Sequence, residues 1–107
     1  MRSYTYISDI VDGCLLVLEH KDRAIGEIFN LGTDKTITTG EGISIVEKIL
    51  EKKAIIARQP KRPGDQLETA ANIGKARRIL GYDPKVAPEE GLKRQIDWYR
   101  EKFVDGV

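Results

Sequence analysis

The chain of 107 residues is poor in the side chains that build cross-links and metal sites, with one cysteine and one histidine. A single cysteine, Cys14, excludes a disulfide within the chain and favours a reducing compartment. His20 has no second histidine or thiol partner, so we predict no metal site. The formal net charge is only +1. Without a basic excess, nothing points to nucleic acid or to an acidic membrane as a partner.

Long apolar runs are absent too. No run approaches the roughly 20 residues that a membrane-spanning helix needs. Residues 1–6 lack the apolar stretch of a signal peptide. By elimination we expect a cytoplasmic protein. The content of apolar (40%) and charged (33%) residues suits a globular domain, and the length fits one domain, residues 1–107.

The spacing of apolar residues predicts a small mixed α/β fold with about four helices and three to four short strands. The expected strands are residues 4–7, 26–32, 36–38 and 54–57. Strand, helix and strand over residues 28–56 predict a right-handed crossover with parallel strands.

Helix ends are marked by capping residues. Ser8 or Asp9 is expected to cap the first helix, which is expected to end near His20. The side chains expected to face inward on this helix are Ile10, Cys14, Val17 and Leu18, with Val11 and Leu15 widening the apolar stripe. Thr38 and Glu41 have capping-box spacing. We also expect Asn72 to cap a helix that ends at Gly81. The last helix is expected to begin at Pro88 and to end in a frayed tail from Asp105. Its inward side chains are expected to be Leu92, Ile96, Tyr99 and Phe103, with Trp98 also in the core.

The most irregular segment, residues 59–65, holds the best candidate for a binding site. Arg62 offers a planar fork of donors suited to phosphate or carboxylate. Flanking prolines restrict its loop, and Asp65 can orient Arg62 or accept from ligand hydroxyls. A solvated surface turn explains the same residues. Arg2, which precedes the first strand, can face a cleft at the edge of the sheet or can be a disordered terminal residue. Asn30 can form a hydrogen bond to a ligand or to the backbone groups of its own turn.

Taken together, these segments resemble one family. The matching stretches, in order, are 2–13 (RSYTYISDIVDG), 26–32 (GEIFNLG), 60–65 (PKRPGD), 75–82 (KARRILGY), 90–92 (EGL) and 98–99 (WY). They resemble the carboxy-terminal third of extended short-chain dehydrogenases/reductases that act on nucleotide sugars, the NAD-dependent epimerases and dehydratases such as UDP-glucose 4-epimerase. Each motif alone is a weak signal for the family, but together and in this order the motifs cover nearly the whole chain.

The resemblance implies a role for each matching position. Arg2 and Arg62 correspond to two arginines that contact the nucleotide diphosphate. Asp65 corresponds to an acid that binds the ribose or braces Arg62, and Asn30 to an asparagine near the nucleotide. The ligand implied is a nucleotide sugar, most simply a UDP-sugar.

The resemblance also implies what this segment lacks. The family binds NAD through a Gly-rich turn of an amino-terminal Rossmann domain and uses a Tyr-x-x-x-Lys motif for catalysis. The four tyrosines here are followed at the fourth position by Ser8, Ile10, Val86 and Phe103, and so never by lysine. We therefore expect no catalytic residue and no NAD site in this chain, and a Rossmann domain as its partner.

Three functions remain open from the sequence. The chain can be the substrate-binding fragment of such an enzyme, inactive alone. It can instead be a stand-alone phosphate-ligand-binding or regulatory module, or a structural remnant. Because apolar faces are expected to have lost the Rossmann partner, we also predict self-association or marginal stability.

Overall fold

The structure, a computed structural model, describes residues 1–105. Its helices are Ile7–Glu19 (α1), Lys21–Ala24 (α2), Thr39–Leu50 (α3), Gly74–Leu80 (α4) and Pro88–Tyr99 (α5), and α5 continues into a π-helical turn, Arg100–Val104. Helices α1, α2 and α4 pack together, and α5 packs against α3. No helix within residues 1–105 is both long and apolar enough to cross a bilayer.

The core lies between α1, α2 and α4. Its buried apolar side chains are Ala24, Ile73, Ala76, Leu80 and Tyr82, with Leu16, Val17, Phe29, Leu31, Ala71 and Ile79 packed against them. Gly13 allows the close approach of α1 to this core. A Cβ at this position would lie 2.6 Å from the Leu31 side chain and 3.1 Å from the Tyr82 ring.

Asp9 ties α1 to the chain after α4. Its side chain is buried, and its two carboxylate oxygens accept from the backbone N–H groups of Lys85 (2.9 Å) and Val86 (3.0 Å). The Tyr82 hydroxyl donates to the Asp9 carbonyl at 2.9 Å. Charge-assisted bonds of this kind hold a connecting segment in one path.

The expected cap of α1 is wrong. The helix begins at Ile7, and its N-cap residue, Tyr6, makes no side-chain capping bond. Asp9 therefore lies inside the first turn, where its carboxylate reaches residues 85 and 86 instead of the helix amides. Long-range hydrogen bonds of this kind leave no trace in a local pattern.

The expected inward face of α1 is also partly wrong. Val17 packs against the core, but Cys14 is exposed, as are Val11, Leu15 and Leu18. The buried positions are Asp9 and Gly13. The face that carries Asp9 and Gly13 is turned inward, and Gly13 allows close contact there. Most of the expected apolar stripe is exposed.

The expected strands are not confirmed. The described residues form only two isolated bridges, an antiparallel one between Arg2 and Ile37 and a parallel one between Arg2 and Thr69. Residues 4–6, 26–31 and 54–57 form no ladder, so the crossover unit over residues 28–56 is not present either. Short extended segments need neighbouring strands, and here they have none.

The helix ends agree better with expectation. Thr38 and Glu41 form the reciprocal capping box of α3, Gly81 is left-handed after α4 with φ 69°, and α5 opens at Pro88. The Asn72 carboxamide oxygen accepts from the Gly74 amide at 3.2 Å, but the N-cap position belongs to Ile73.

The carboxy-terminal aromatic residues depart from expectation. Leu92 and Ile96 are half-buried, as expected. Trp98, expected in the core, is exposed, and so are Tyr99 and Phe103, expected on the inward stripe. The two-residue end of the expected frayed tail, Gly106 and Val107, lies outside the described residues.

Candidate functional site

Arg2 lies between two extended segments. Its backbone exchanges hydrogen bonds with Ile37, both at 2.9 Å, while on the other side Ser3 donates to Thr69 (3.1 Å) and Thr69 donates to Met1 (3.0 Å). The Arg2 guanidinium also donates to the Gln66 carbonyl at 2.6 Å. The first candidate arginine is thus fixed to the segment that follows the Arg62 loop.

The loop of residues 60–65 extends into solvent. The Arg62 side chain is 84% exposed, and its Nε donates to an Asp65 carboxylate oxygen at 3.3 Å. Gly64 adopts φ 83°, in the left-handed region that glycine tolerates, and a Cβ there would meet nothing within 4 Å. Asp65 thus contacts the guanidinium through Nε.

The Arg62–Asp65 pair contributes little to the stability of the fold. An exposed ion pair of this kind is typically worth less than about 1 kcal/mol.

Asn30 does not join the other candidates in this structure. Its side chain is exposed, and no hydrogen bond or ion pair within residues 1–105 links it to Arg2, Arg62 or Asp65. Three residues after Asn30, the Thr33 amide donates a hydrogen bond to the Thr5 hydroxyl at 3.0 Å. The structure thus brings Arg2 to the segment of Arg62 and Asp65, and leaves Asn30 outside that group.

Two apolar grooves flank Tyr4 and Leu92, and the sequence did not predict either. One, of about 560 Å³, lies between the amino-terminal segment and α5 and is lined by residues including Tyr4, Tyr6, Ile7, Leu92 and Trp98. The other, of about 480 Å³, lies against α3. The aromatic residues of the RSYTYI stretch were the available signal, but they were assigned to a strand.

Tyr82 is buried, and burial raises its pKa above the usual value near 10.0, with the negative charge of Asp9 adding to the rise. A tyrosine held neutral inside the core does not serve as a base for a bound ligand. Within residues 1–105 no three His, Cys, Asp or Glu side chains converge as metal ligands would.

No protein-family model matches the chain, but individual proteins do. An uncharacterised protein of Methanocaldococcus jannaschii is 47% identical over 94% of this chain and 30% of its own length. UDP-glucuronate 4-epimerase 2 of Arabidopsis thaliana is 35% identical over 98% of this chain and 27% of its own length.

A solved structure of a UDP-sugar epimerase is also similar to this chain. UDP-glucuronic acid 4-epimerase from Bacillus cereus, in complex with UDP-glucuronic acid and NAD, superposes with a TM-score of 0.86 at 34% identity, over 94% of this chain and 32% of that one. The chain spans about 30% of the length of the relatives it matches. The family predicted from the motif order is confirmed. The chain belongs to the NAD-dependent extended short-chain dehydrogenases/reductases that include the UDP-sugar 4-epimerases, and it matches their carboxy-terminal part.

Proposed function

We propose that this chain is the UDP-sugar-binding part of an NAD-dependent sugar epimerase or dehydratase and is not catalytic alone. The observation that carries the proposal is the attachment of Arg2 to residues 66–69, which brings one candidate arginine beside the loop of the other. One relative is named UDP-glucuronate 4-epimerase 2, and one solved neighbour is in complex with UDP-glucuronic acid and NAD.

In this proposal Arg2 and Arg62 contact the diphosphate. A diphosphate presents several anionic oxygens, and guanidinium groups bind such oxygens in pairs of parallel hydrogen bonds. Arg2 is already held by Gln66, so less side-chain entropy is lost when it meets the ligand. Arg62 is freer but is oriented by Asp65. Asp65 braces Arg62 or accepts from the ribose, and Asn30 lies near the nucleotide.

The residues of this chain do not fit NAD. The sequence has no Gly-x-Gly-x-x-Gly turn opening a helix, and the described residues form no parallel sheet that would carry such a turn. We therefore assign NAD to the part of the full-length enzyme that has no counterpart here. The general base for a sugar hydroxyl is assigned to that part too, because no tyrosine here is followed by lysine at the fourth position.

Calorimetric titration of the chain tests this function. UDP and UDP-glucose are expected to bind with a dissociation constant on the order of 1 mM, as expected for two arginine contacts at the protein surface, and NAD is expected not to bind. Arg62→Ala should weaken UDP binding roughly tenfold, because it removes charged hydrogen bonds. Arg58→Ala is the matched control, since Arg58 is an exposed cation directly before the segment of residues 59–65.

Two results would contradict the proposal. One is UDP affinity that is the same in wild type and Arg62→Ala. The other is an absence of UDP binding at concentrations roughly tenfold above the expected constant.

A further inference from the structure

The net charge of +1 hides an uneven distribution of charge along the chain. Six of the 18 basic residues, but only one of the 17 acidic residues, lie in residues 48–62, which we call the basic segment. Its cations are Lys48, Lys52, Lys53, Arg58, Lys61 and Arg62. A local surface of one sign attracts a partner of the other sign even when the whole molecule is nearly neutral.

Most cations of the basic segment are available to a partner. Arg62 pairs with Asp65, but no ion pair within residues 1–105 engages any of the other five cations. Lys48 is exposed, and so is every residue in the range 51–70. The positive charges therefore lie at the surface without acidic neighbours that would neutralise them.

Three of the lysines lie close together at the end of α3. One surface depression there, of about 340 Å³, is lined by Lys48, Lys52, Lys53, Glu47, Glu51 and Ser44. The Glu47 carboxylate accepts a hydrogen bond from the Ala54 amide at 2.7 Å. This bond ties the chain after Lys52 and Lys53 back to α3, so the two lysines are held beside that helix.

Apolar side chains are exposed among the same cations. Ile55 is fully exposed and Ile56 is 57% exposed, with Lys53 two residues before the pair and Arg58 two residues after it. The apolar groove of about 480 Å³ against α3 also reaches this point, because Lys52, Lys53 and Ala54 are among its lining residues. The basic segment thus combines positive charge with uncovered apolar surface.

We propose that the basic segment binds the surface of an anionic membrane, with Lys52, Lys53 and Arg58 at the lipid phosphates and Ile55 inserted between the head groups. Each cation close to such a surface strengthens binding roughly fivefold. An apolar side chain that leaves water for the acyl boundary adds a second contribution. Surface attachment without a spanning helix depends on these two contributions together.

Nucleic acid fits the basic segment less well. Residues 48–62 contain no Phe, Tyr or Trp side chain that would stack on bases. Exposed isoleucines also gain nothing against a phosphate backbone. A second copy of this chain is a poorer occupant as well, because a symmetric contact would bring two segments of positive charge together.

Vesicle sedimentation of the whole chain, residues 1–107, tests the proposal. The chain is mixed with phosphatidylcholine vesicles that contain either no anionic lipid or about 30% phosphatidylserine. We expect at least roughly tenfold tighter binding to the anionic vesicles. Most of that binding should be lost at about 0.5 M NaCl, because salt screens the charges.

Paired lysine substitutions separate the basic segment from the net charge of the chain. Lys52→Gln combined with Lys53→Gln should weaken binding to anionic vesicles roughly twentyfold, since two cations are removed. Lys21→Gln combined with Lys35→Gln removes the same charge from exposed positions elsewhere. This control should weaken binding by less than roughly threefold, because charges far from the contact are screened.

A substitution of Ile55 tests the apolar contribution. Ile55→Ser should leave the melting temperature unchanged, because Ile55 is fully exposed, but should weaken binding to anionic vesicles roughly fivefold. Ile28→Ser is the matched control, since Ile28 is 83% exposed and lies outside the basic segment. This control variant should bind the vesicles as wild type does.

Four results would overturn the proposal. They are equal affinity for neutral and anionic vesicles, equal effects of the two lysine pairs, wild-type vesicle binding by Ile55→Ser, and tighter binding of single-stranded polyuridylate than of anionic vesicles. Titration of Arg62→Ala with UDP is a separate measurement. Membrane binding can therefore fail while the proposed function stands, and the reverse also holds.

Discussion

Asp9 links α1 to the segment after α4 and thereby stabilises the fold. Its carboxylate satisfies the amides of Lys85 and Val86, so Asp9→Ala leaves two donors without their partner. We expect the free energy of unfolding in urea to fall by about 3 kcal/mol. Asp12→Ala, at an exposed position of the same helix, should change it by less than about 0.5 kcal/mol. Equal effects of the two substitutions would contradict the role of Asp9.

Tyr82 makes the stability of the folded chain decrease with rising pH in the alkaline range. Burial and the charge of Asp9 raise the pKa of Tyr82 above its usual value near 10.0. The folded protein therefore keeps a proton that the unfolded chain has released. The associated stability is complete below about pH 10 and is lost as pH rises through the folded pKa.

Tyr82→Phe tests this dependence. The variant should be less stable at neutral pH by about 1 kcal/mol, because it loses the hydrogen bond to the Asp9 carbonyl. It should also lose less stability than wild type between pH 9 and about pH 11. Tyr4→Phe, at an exposed tyrosine, serves as the control. A Tyr82→Phe variant with the pH dependence of wild type would exclude Tyr82 as its source.

At the scale of single residues, the sequence identified local chemistry and missed long-range contacts. The prolines and glycine around Arg62 predicted an irregular segment, and residues 60–65 form neither helix nor strand. Asp9 was read as a helix cap because a cap is the local use of an aspartate before an apolar run. Its true partners are 76 and 77 residues away, and no local pattern contains them.

Among the elements, α3 shows how a local signal succeeds. Thr38 accepts from the Glu41 amide at 3.0 Å, and the Glu41 carboxylate accepts from the Thr38 amide at 2.8 Å. Thr38→Ala should reduce the free energy of unfolding by about 1 kcal/mol. Thr39→Ala, one residue later, should have less effect, which urea denaturation of both variants would show. A Thr39→Ala effect as large as that of Thr38→Ala would contradict the capping box.

The strands show how a local signal fails. Residues 26–32 and 54–57 have the composition of strands, but a strand forms only when a neighbour supplies hydrogen bonds. Residues 28–31 lie extended along α1 without such a neighbour, and Ile55 is fully exposed. The expected strand count is therefore not confirmed within residues 1–105. Helices need no such neighbour for their backbone bonds, which is why they were predicted more accurately.

On the scale of the whole molecule, more large apolar side chains are exposed than buried within residues 1–105. Five apolar residues are buried, while Trp98, Tyr99, Phe103 and four apolar residues of α1 remain exposed: Ile7, Val11, Leu15 and Leu18. Surfaces of this kind drive association. We expect the isolated chain to self-associate or to be marginally stable, as measured by sedimentation and thermal melting.

Substitution of the exposed apolar residues of α1 tests the origin of this association. Leu15→Asp combined with Leu18→Asp should reduce the fraction of associated protein, because both apolar side chains are exposed. Lys21→Asp is a control for charge on the following helix α2. A wild-type monomer with a steep thermal transition would contradict the expectation.

The most direct test of the central claim is a heteronuclear NMR titration of the labelled chain with UDP. If the chain is the UDP-sugar-binding part of an epimerase, amide shifts should concentrate at residues 2–3 and 61–66, around Arg2 and Arg62, and should disappear in Arg62→Ala. Shifts confined to the groove between Tyr6 and Trp98, or no shifts at UDP concentrations of about 10 mM, would contradict the claim.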